Sequence, residues 1–359
     1  MPTITAHADR LTIATLATDT PMGAQAYQEQ IAGRAGAALA EVGGAPWRVD
    51  RAIVRSVRSP LAGNRRLPVS RVAGASARSR RVIGRFLYGS AAVTHRMNLE
   101  LPPAPHGDVI TLHDVVAWRY PDESAPVAAA AQEARDADAV VCVSEFTASE
   151  AVAFLGVRNP HVIHNGVDAR FFDAAPLSHD QRAELGIGER YVLHAGGASA
   201  RKNLEALAEA WPGIHRERPD LQLVLAGPAH ARRTRLFDGM PGTRLIGRVP
   251  DAVVPGLVAS AAAVVVPSLY EGFGLPVLEA MAAGVPVVAA DTSSLPEVAG
   301  GSAILVPPTA AGVADGVLTV TSGDPAVAAL VRSGRERATE FTWERSALGH
   351  AAVWRSVGA

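Results

Sequence analysis

Short apolar runs recur along the chain, and most are followed by a pattern that suits a helix. "RLTIATL", "DVITLHD", "AVVCVSE" and "HVIHNG" appear in the first half, with the alanine-rich stretch from Gly23 to about Val42, "VAAAAQEARDA" and "TASEAVAFLG" among them. After a polar, turn-rich stretch the alternation restarts with "YVLHAGG", "LQLVLAG", "RLIGRV", "AAVVVPS", "VPVVAAD" and "AILVPP". Strands that read as continuous apolar runs, alternating with helices, belong to parallel sheets covered on both faces. The restart, in a chain of 359 residues, predicts two domains rather than one. The expected fold class is therefore α/β: two doubly wound, Rossmann-like domains, residues 1–175 and 188–340, facing a central cleft at the carboxyl ends of their strands. The boundary is expected between Asp173 and Gly188. Residues 341–359, "FTWERSALGHAAVWRSV" and its flanks, read as a final helix packing back toward the N-terminal domain through Phe341, Trp343 and Trp354.

Composition narrows the function. Hydrophobic residues make up 48% of the chain, enough for large cores, and a net charge of −1 argues against a general nucleic-acid binder. Cys142 is the only cysteine, which excludes a disulfide framework or a cysteine-rich metal site and fits a reducing cytosol. The N-terminus does not have the pattern of a signal peptide. The apolar region from Val253 to Val266 is interrupted by Pro255 and too short to span a bilayer. The expectation is a cytoplasmic protein, with a place at the inner face of a membrane left open.

The stretch "SLYEGFGLPVLEA", Ser268–Ala280, carries the sharpest chemistry. A buried strand ending near Pro267 runs into a glycine loop, and Pro276 suits the first turn of the helix that follows. Amides at Phe273–Leu275 would then point from a helix N-terminus toward an anion such as a diphosphate. Gly272 and Gly274 permit close backbone approach. Glu279, about one turn into the helix, and Glu271, at the strand end, accept hydrogen bonds only, so hydroxyls such as those of a ribose or a sugar are natural partners. The alternative is a sharp turn, with Glu279 set against the helix dipole and Glu271 solvated.

A second strand–loop–helix unit is "HAGGASARKNLEALAEAW". Gly196 and Gly197 open the loop, Asn203 is a candidate helix cap, and Lys202 is the only lysine of the chain. A compact ammonium beside Arg201 suits a diphosphate, although an exposed basic pair would look the same. "TLHDVVAWRYPDE" puts His113 and Asp114 at a strand end; a structural His–Asp pair closing a loop is the competing reading. "HNGVD", His164–Asp168, is first a turn signal near the hinge. Gly23, after the first strand, is a weaker candidate for ligand approach.

Taken together, "EGFGLPVLE", with "TLHD", "HNGVD" and "RKN" before it and "TSSLPEV" after it in the chain, resembles the motif set of retaining GT-B glycosyltransferases of family 4, with the E-x7-E motif at Glu271 and Glu279. The resemblance covers most of the chain. It implies that Glu279 holds the ribose of a nucleotide sugar and that Glu271 contacts the transferred sugar. Gly272, Phe273, Gly274 and Leu275 would hold sugar and diphosphate, with Arg201 and Lys202 stabilising the leaving diphosphate. His113 would reach the donor sugar, Gly23 and Gly197 would approach the donor, and the loop around Gly247 would face the base. Many relatives carry an arginine where this chain has Gly197, so Arg201 would have to compensate.

The resemblance implies transfer of a hexose with retention, by front-face attack assisted by the leaving phosphate. No metal or other cofactor is expected. The first expectation for the donor is GDP-mannose, with UDP-sugars next; the acceptor would be a carbohydrate or lipid-linked hydroxyl in polysaccharide or glycolipid assembly. The alternatives are another GT-B activity, such as nucleotide-sugar epimerisation or phosphorolysis, and a catalytically inactive sugar-nucleotide-binding module. From Arg48 to Arg85 eleven arginines stand against one acid, Asp50. Such a segment reads as a solvated face or, with Val82, Ile83, Phe86 and Leu87 interleaved, as a contact for an anionic membrane or a lipid phosphate.

Overall fold

The computed structural model describes residues 9–18, 23–120 and 125–359. It forms two compact units, residues 1–166 with 343–359, and residues 167–342. The chain passes into the second unit at Val167, upstream of the 173–188 stretch where the turn-rich composition suggests a boundary. Val167 donates its amide to Phe341 O (3.0 Å) and bridges Thr342, and Phe171 is buried. These contacts tie the "GVDARFF" turn to the second unit.

In the first unit seven strands line up as β3-β2-β1-β4-β5-β6-β7, all parallel. They are β1 (Asp9–Leu16), β2 (Trp47–Ser56), β3 (Arg65–Leu67), β4 (Val93–Arg96), β5 (Asp108–Leu112), β6 (Ala139–Cys142) and β7 (His161–Val162). The order reverses at β1, whose neighbours are β2 and β4. On this sheet the helices Gly23–Val42 and Trp343–Val357 pack against each other, and Tyr27, Ile31, Ala35 and Trp354 of their inner faces are fully buried.

The arginine-rich segment is more structured than a solvated face. Part of it is β2, in register with β1 from Trp47 opposite Asp9 to Val54 opposite Leu16. Arg80 is completely buried, so it belongs to the interior and not to a membrane contact. Arg51 pairs with Glu29 and Arg81 with Asp136. Arg58, Arg65, Arg66, Arg71, Arg78 and Arg85 are exposed.

The second unit has six parallel strands in the order β10-β9-β8-β11-β12-β13. They are β8 (Tyr191–Ala195), β9 (Gln222–Ala226), β10 (Thr243–Gly247), β11 (Ala263–Val266), β12 (Val287–Ala290) and β13 (Ile304–Val306). The helix Leu204–Glu217 lays Leu207, Trp211 and Ile214 on Leu223, Leu225 and Val265. Each fully buried aliphatic side chain of that face contributes roughly 1.5–3 kcal/mol over exposure. Here the order reverses at β8, flanked by β9 and β11. In doubly wound sheets the crevice at the carboxyl end of such a pair is where ligands bind. The loops leaving β8 and β11 are those that carry Lys202 and Glu271.

Candidate active site

Adjacent parallel strands send their exit loops out side by side, and this brings "GGASARKN" against "PSLYEGFG". Asn203 joins them: its side-chain amide donates to Pro267 O and Pro308 O, both at 2.9 Å. It adopts a left-handed backbone (φ 52°) and makes no side-chain cap to the helix that follows, so the expected capping role gives way to a tie between loops. Leu269 N donates to Arg201 O at 2.7 Å, closing the same junction.

Glu271 is buried at this junction. Lys202 Nζ lies 2.7 and 2.9 Å from its two carboxylate oxygens, Arg201 reaches Oε2 at 3.4 Å, and the Ser268 hydroxyl donates to Oε1 at 2.7 Å. Arg201 also donates to Tyr270 O (3.1 Å). Burial alone would raise the Glu271 pKa, but the charges of Lys202 and Arg201 and the bonds from Lys202 and Ser268 outweigh it and hold the pKa below the usual value. Instead of a carboxylate open for sugar hydroxyls with two cations reserved for phosphate, the structure brings all three charges together. The two cations remain 15–19% exposed.

The "TSSLPEV" stretch supports this cluster. Ser293 Oγ accepts from Glu271 N at 3.0 Å, and the Ser294 hydroxyl lies 2.9 and 2.8 Å from the carbonyls of Glu271 and Phe273. Ser293 has φ of 52°, an uncommon conformation for a side-chain-bearing residue. Thr292 donates to Ser268 O at 2.9 Å. Ser268 could have been found in the sequence from its place three residues before Glu271. The roles of Ser293 and Ser294 rest on contacts some twenty residues apart.

Gly274 (φ 107°) opens the helix Leu275–Ala282, and a Cβ there would stand 2.9 Å from Leu295 Cδ2. Gly272 and Phe273 are buried within the loop. Pro276 lies in the first helical turn. Glu279 is half-buried and makes no ion pair among the described residues. Burial, then the nearby Asp168 carboxylate, push its pKa up to about 7, against the opposing pull of Arg170. Arg170 is itself held by Asp168, with N and Nε donating at 2.9 and 3.0 Å. The "HNGVD" turn therefore does more than turn the chain: through Asp168 it adds to the effect of burial on Glu279, which motif spacing did not reveal.

The Gly196–Gly197 loop rests on Arg233, which is 2% exposed and donates to the carbonyls of Gly196, Gly197 (3.0 Å) and Pro228 (2.9 Å). A Cβ at Gly197 would meet nothing within 4 Å, so the position is open to a larger side chain. Gly247 ends β10 with φ of 69° and is equally open.

In the first unit, His113 follows β5, and burial lowers its pKa to about 4. Its Nε2 is enclosed without a hydrogen-bond partner. Asp114 accepts from Val116 N at 3.1 Å, a local turn contact. Gly23 is the first residue of its helix; residues 19–22 of the loop before it lie outside the described residues.

Two doubly wound parallel domains, one with a cation–carboxylate cluster at its switch point, define the class of GT-B glycosyltransferases. The family described as Glycosyl transferases group 1 matches residues 189–322, and that described as Glycosyltransferase Family 4 matches residues 51–171. Among curated proteins, O-antigen chain mannosyltransferase B of Escherichia coli is 30% identical over 271 residues, 70% of this chain and 71% of that protein. GDP-mannose-dependent alpha-(1-6)-phosphatidylinositol dimannoside mannosyltransferase of Mycobacterium tuberculosis is 31% identical over 234 residues, 64% of this chain and 60% of that protein. Among solved structures, sucrose-phosphate synthase from Thermosynechococcus elongatus covers 97% of this chain and 98% of its own with TM-score 0.72 at 21% identity. HepE of Anabaena, solved with UDP and glucose, covers 97% of this chain and 100% of its own with TM-score 0.70 at 18% identity; at these identities the likeness is one of fold. The chain belongs to glycosyltransferase family 4.

Proposed function

We propose that this glycosyltransferase moves a hexose, mannose in the first instance, from a nucleoside-diphosphate donor to an acceptor hydroxyl with retention at the anomeric carbon. The observation that carries the reading is the cluster of Lys202, Arg201 and Glu271 at the carboxyl ends of β8 and β11, with a half-buried carboxyl, Glu279, on the helix that follows. Two bonds from Lys202 Nζ go to Glu271, and its third N–H is left for a phosphate oxygen. Together with Arg201 and the helix N-terminus it would stabilise the charge that develops as the diphosphate leaves. The C1–O bond to the diphosphate breaks and the acceptor oxygen bonds to C1 from the same face. The acceptor proton passes to the departing phosphate, so no protein nucleophile and no metal is assigned. His113 contacts the donor sugar and Glu279 the ribose. Both relatives named above are mannosyltransferases, and the Mycobacterium tuberculosis one is GDP-mannose-dependent, which supports GDP-mannose as donor.

Calorimetry with GDP in the presence of EDTA tests the assignment. Glu279→Ala is expected to weaken GDP binding about tenfold or more, the effect of a lost charge-assisted hydrogen bond. Glu271→Ala should leave GDP affinity nearly intact and lower donor turnover. Equal affinities for wild type and Glu279→Ala would overturn the ribose role, and loss of turnover in EDTA that magnesium restores would overturn the metal-free reading.

The acceptor side has a surface of its own. The helix Ala77–Tyr88 exposes Arg78, Arg81 and Arg85 beside Val82 (54%) and Phe86 (83%), which fits an anionic membrane or lipid-linked phosphate. No helix among the described residues is long and apolar enough to cross a membrane. Sedimentation with anionic liposomes at low salt, lost in Phe86→Ser combined with serine at Arg78, Arg81 and Arg85, is the expected result. Protein left in the supernatant would favour a soluble acceptor.

A further inference from the structure

A chain of buried side chains runs through the first unit, and its hydrogen positions follow from chemistry. Trp354 Nε1, a donor only, lies 3.2 Å from His95 Nδ1. That nitrogen must carry the lone pair, so His95 Nε2 holds the hydrogen and donates to Thr111 Oγ1 at 2.7 Å. At the other end, His350 Nδ1 lies 2.7 Å from Ser346 O, an acceptor only, so its Nε2 is bare and accepts from the Tyr27 hydroxyl at 2.6 Å. Tyr27 then accepts from Thr111 at 2.9 Å. All five links run one way, from Trp354 to Ser346. Burial lowers the pKa of both histidines, His350 to about 4, which keeps both rings neutral and the direction fixed.

Tyr27, a member of this chain, is surrounded by three rings, of which His350 also belongs to it. Its ring stands perpendicular to that of His113 with centroids 4.7 Å apart, and Trp343 and His350 lie at 6.0 and 5.7 Å. The His113 Nε2 atom has no hydrogen bond of its own to orient it. We propose that Tyr27 is a positioning residue for His113: its hydroxyl, pinned between Thr111 and His350, fixes the aromatic wall that sets the attitude of the His113 ring. The helix Trp343–Val357 thereby governs a side chain some 240 residues earlier in the sequence. A wall fixed at its hydroxyl restricts ring rotation of its neighbour without touching the ligand, which is how a supporting shell preorganises a site.

This inference rests on the reading of His113 as a contact of the donor sugar, and the experiment separates the two. Affinities for GDP-mannose and GDP, and in parallel for UDP-glucose and UDP, are measured by calorimetry, with thermal unfolding recorded for each variant. His113→Ala should lower the advantage of nucleotide sugar over free nucleotide. Tyr27→Phe, which keeps the ring and removes both hydroxyl bonds, should lower it about threefold to tenfold with nucleotide affinity unchanged. His350→Leu should do the same, and His350→Gln, whose side-chain carbonyl can accept from Tyr27, should restore it. If the advantage falls in His113→Ala but survives in Tyr27→Phe and His350→Leu while their melting temperatures drop, Tyr27 is merely structural and the proposal is overturned. An unchanged advantage in His113→Ala would instead overturn the reading of His113 beneath it.

Discussion

Each unit buries a knot of charge, and the two knots are built to different ends. In the first, Arg80 and Arg96 meet Glu133 and Asp108, all at most 5% exposed. Arg80 bonds both Glu133 oxygens at 2.6 and 3.0 Å, and Arg96 bonds both Asp108 oxygens at 2.8 Å. Arg96 Nη1 also reaches Glu133 Oε2 at 3.3 Å, and further guanidinium hydrogens go to the carbonyls of Val72, Leu99, Glu100 and Leu101. Charge is balanced two against two, and the bonds clamp the loop after β4. In the second unit, two cations face one carboxylate, and both cations keep some exposure. A closed, neutral network holds a fold together, whereas one with surplus positive charge at a strand switch point is prepared for an anion. Burial alone would not separate the two; charge balance and access do.

The largest expected effect breaks the first knot. Glu133→Ala leaves two guanidinium groups buried with one partner carboxylate between them and should cost about 3–5 kcal/mol in denaturant unfolding. A loss below about 1 kcal/mol would show that this network carries no more than a surface pair. The second knot should respond the other way. Lys202→Ala should weaken GDP about tenfold yet cost only about 1 kcal/mol of stability, because Arg201 and Ser268 stay on Glu271. A large fall in stability with intact GDP affinity would erase the distinction between the knots.

The smallest effect sharpens it. Glu279 has its pKa raised to about 7, so between the ordinary carboxylate value and about 7 the folded protein holds a proton that the unfolded chain has lost. Its contribution to stability therefore falls as pH rises through that window and levels off above about 7. If ribose hydroxyls donate to the ionised carboxylate, GDP binding expels this proton. Calorimetry in buffers of different ionisation enthalpy should then find close to one proton released at about pH 6 and almost none at about pH 8. No release at the lower pH would mean that the nucleotide leaves Glu279 protonated.

Much of the second unit was legible because its strands are buried on both faces and read as unbroken apolar runs, as in "AVVV" and "VVAA". The first unit hides more. β4 is "VTHR", an inner strand whose His95 and Arg96 are completely buried, and β2 carries Arg48, Arg51 and Arg55. Both depart from the hydropathy expected of a parallel strand because their polar groups are satisfied by distant partners: His95 by Trp354 and Thr111, Arg96 by Asp108, Arg51 by Glu29. The glycines, Glu271, Glu279 and Lys202 could be proposed from local pattern. That Lys202 and Arg201 would close on Glu271 could not, since it depends on β8 and β11 being neighbours.

The second unit begins at Val167 and ends at Thr342, and these two residues pair directly. It is thus an insertion with a closed neck, and its 176 residues have all been synthesised before the helix Trp343–Val357 exists. The first unit, begun earlier, waits for that helix to supply Trp354, His350 and Ala351 to its core. Domains fold as units during synthesis, so on the ribosome the order of completion should invert the order of encoding. The later-encoded unit closes first, and the earlier one keeps an open groove along the helix Gly23–Val42 until the helix Trp343–Val357 has been made.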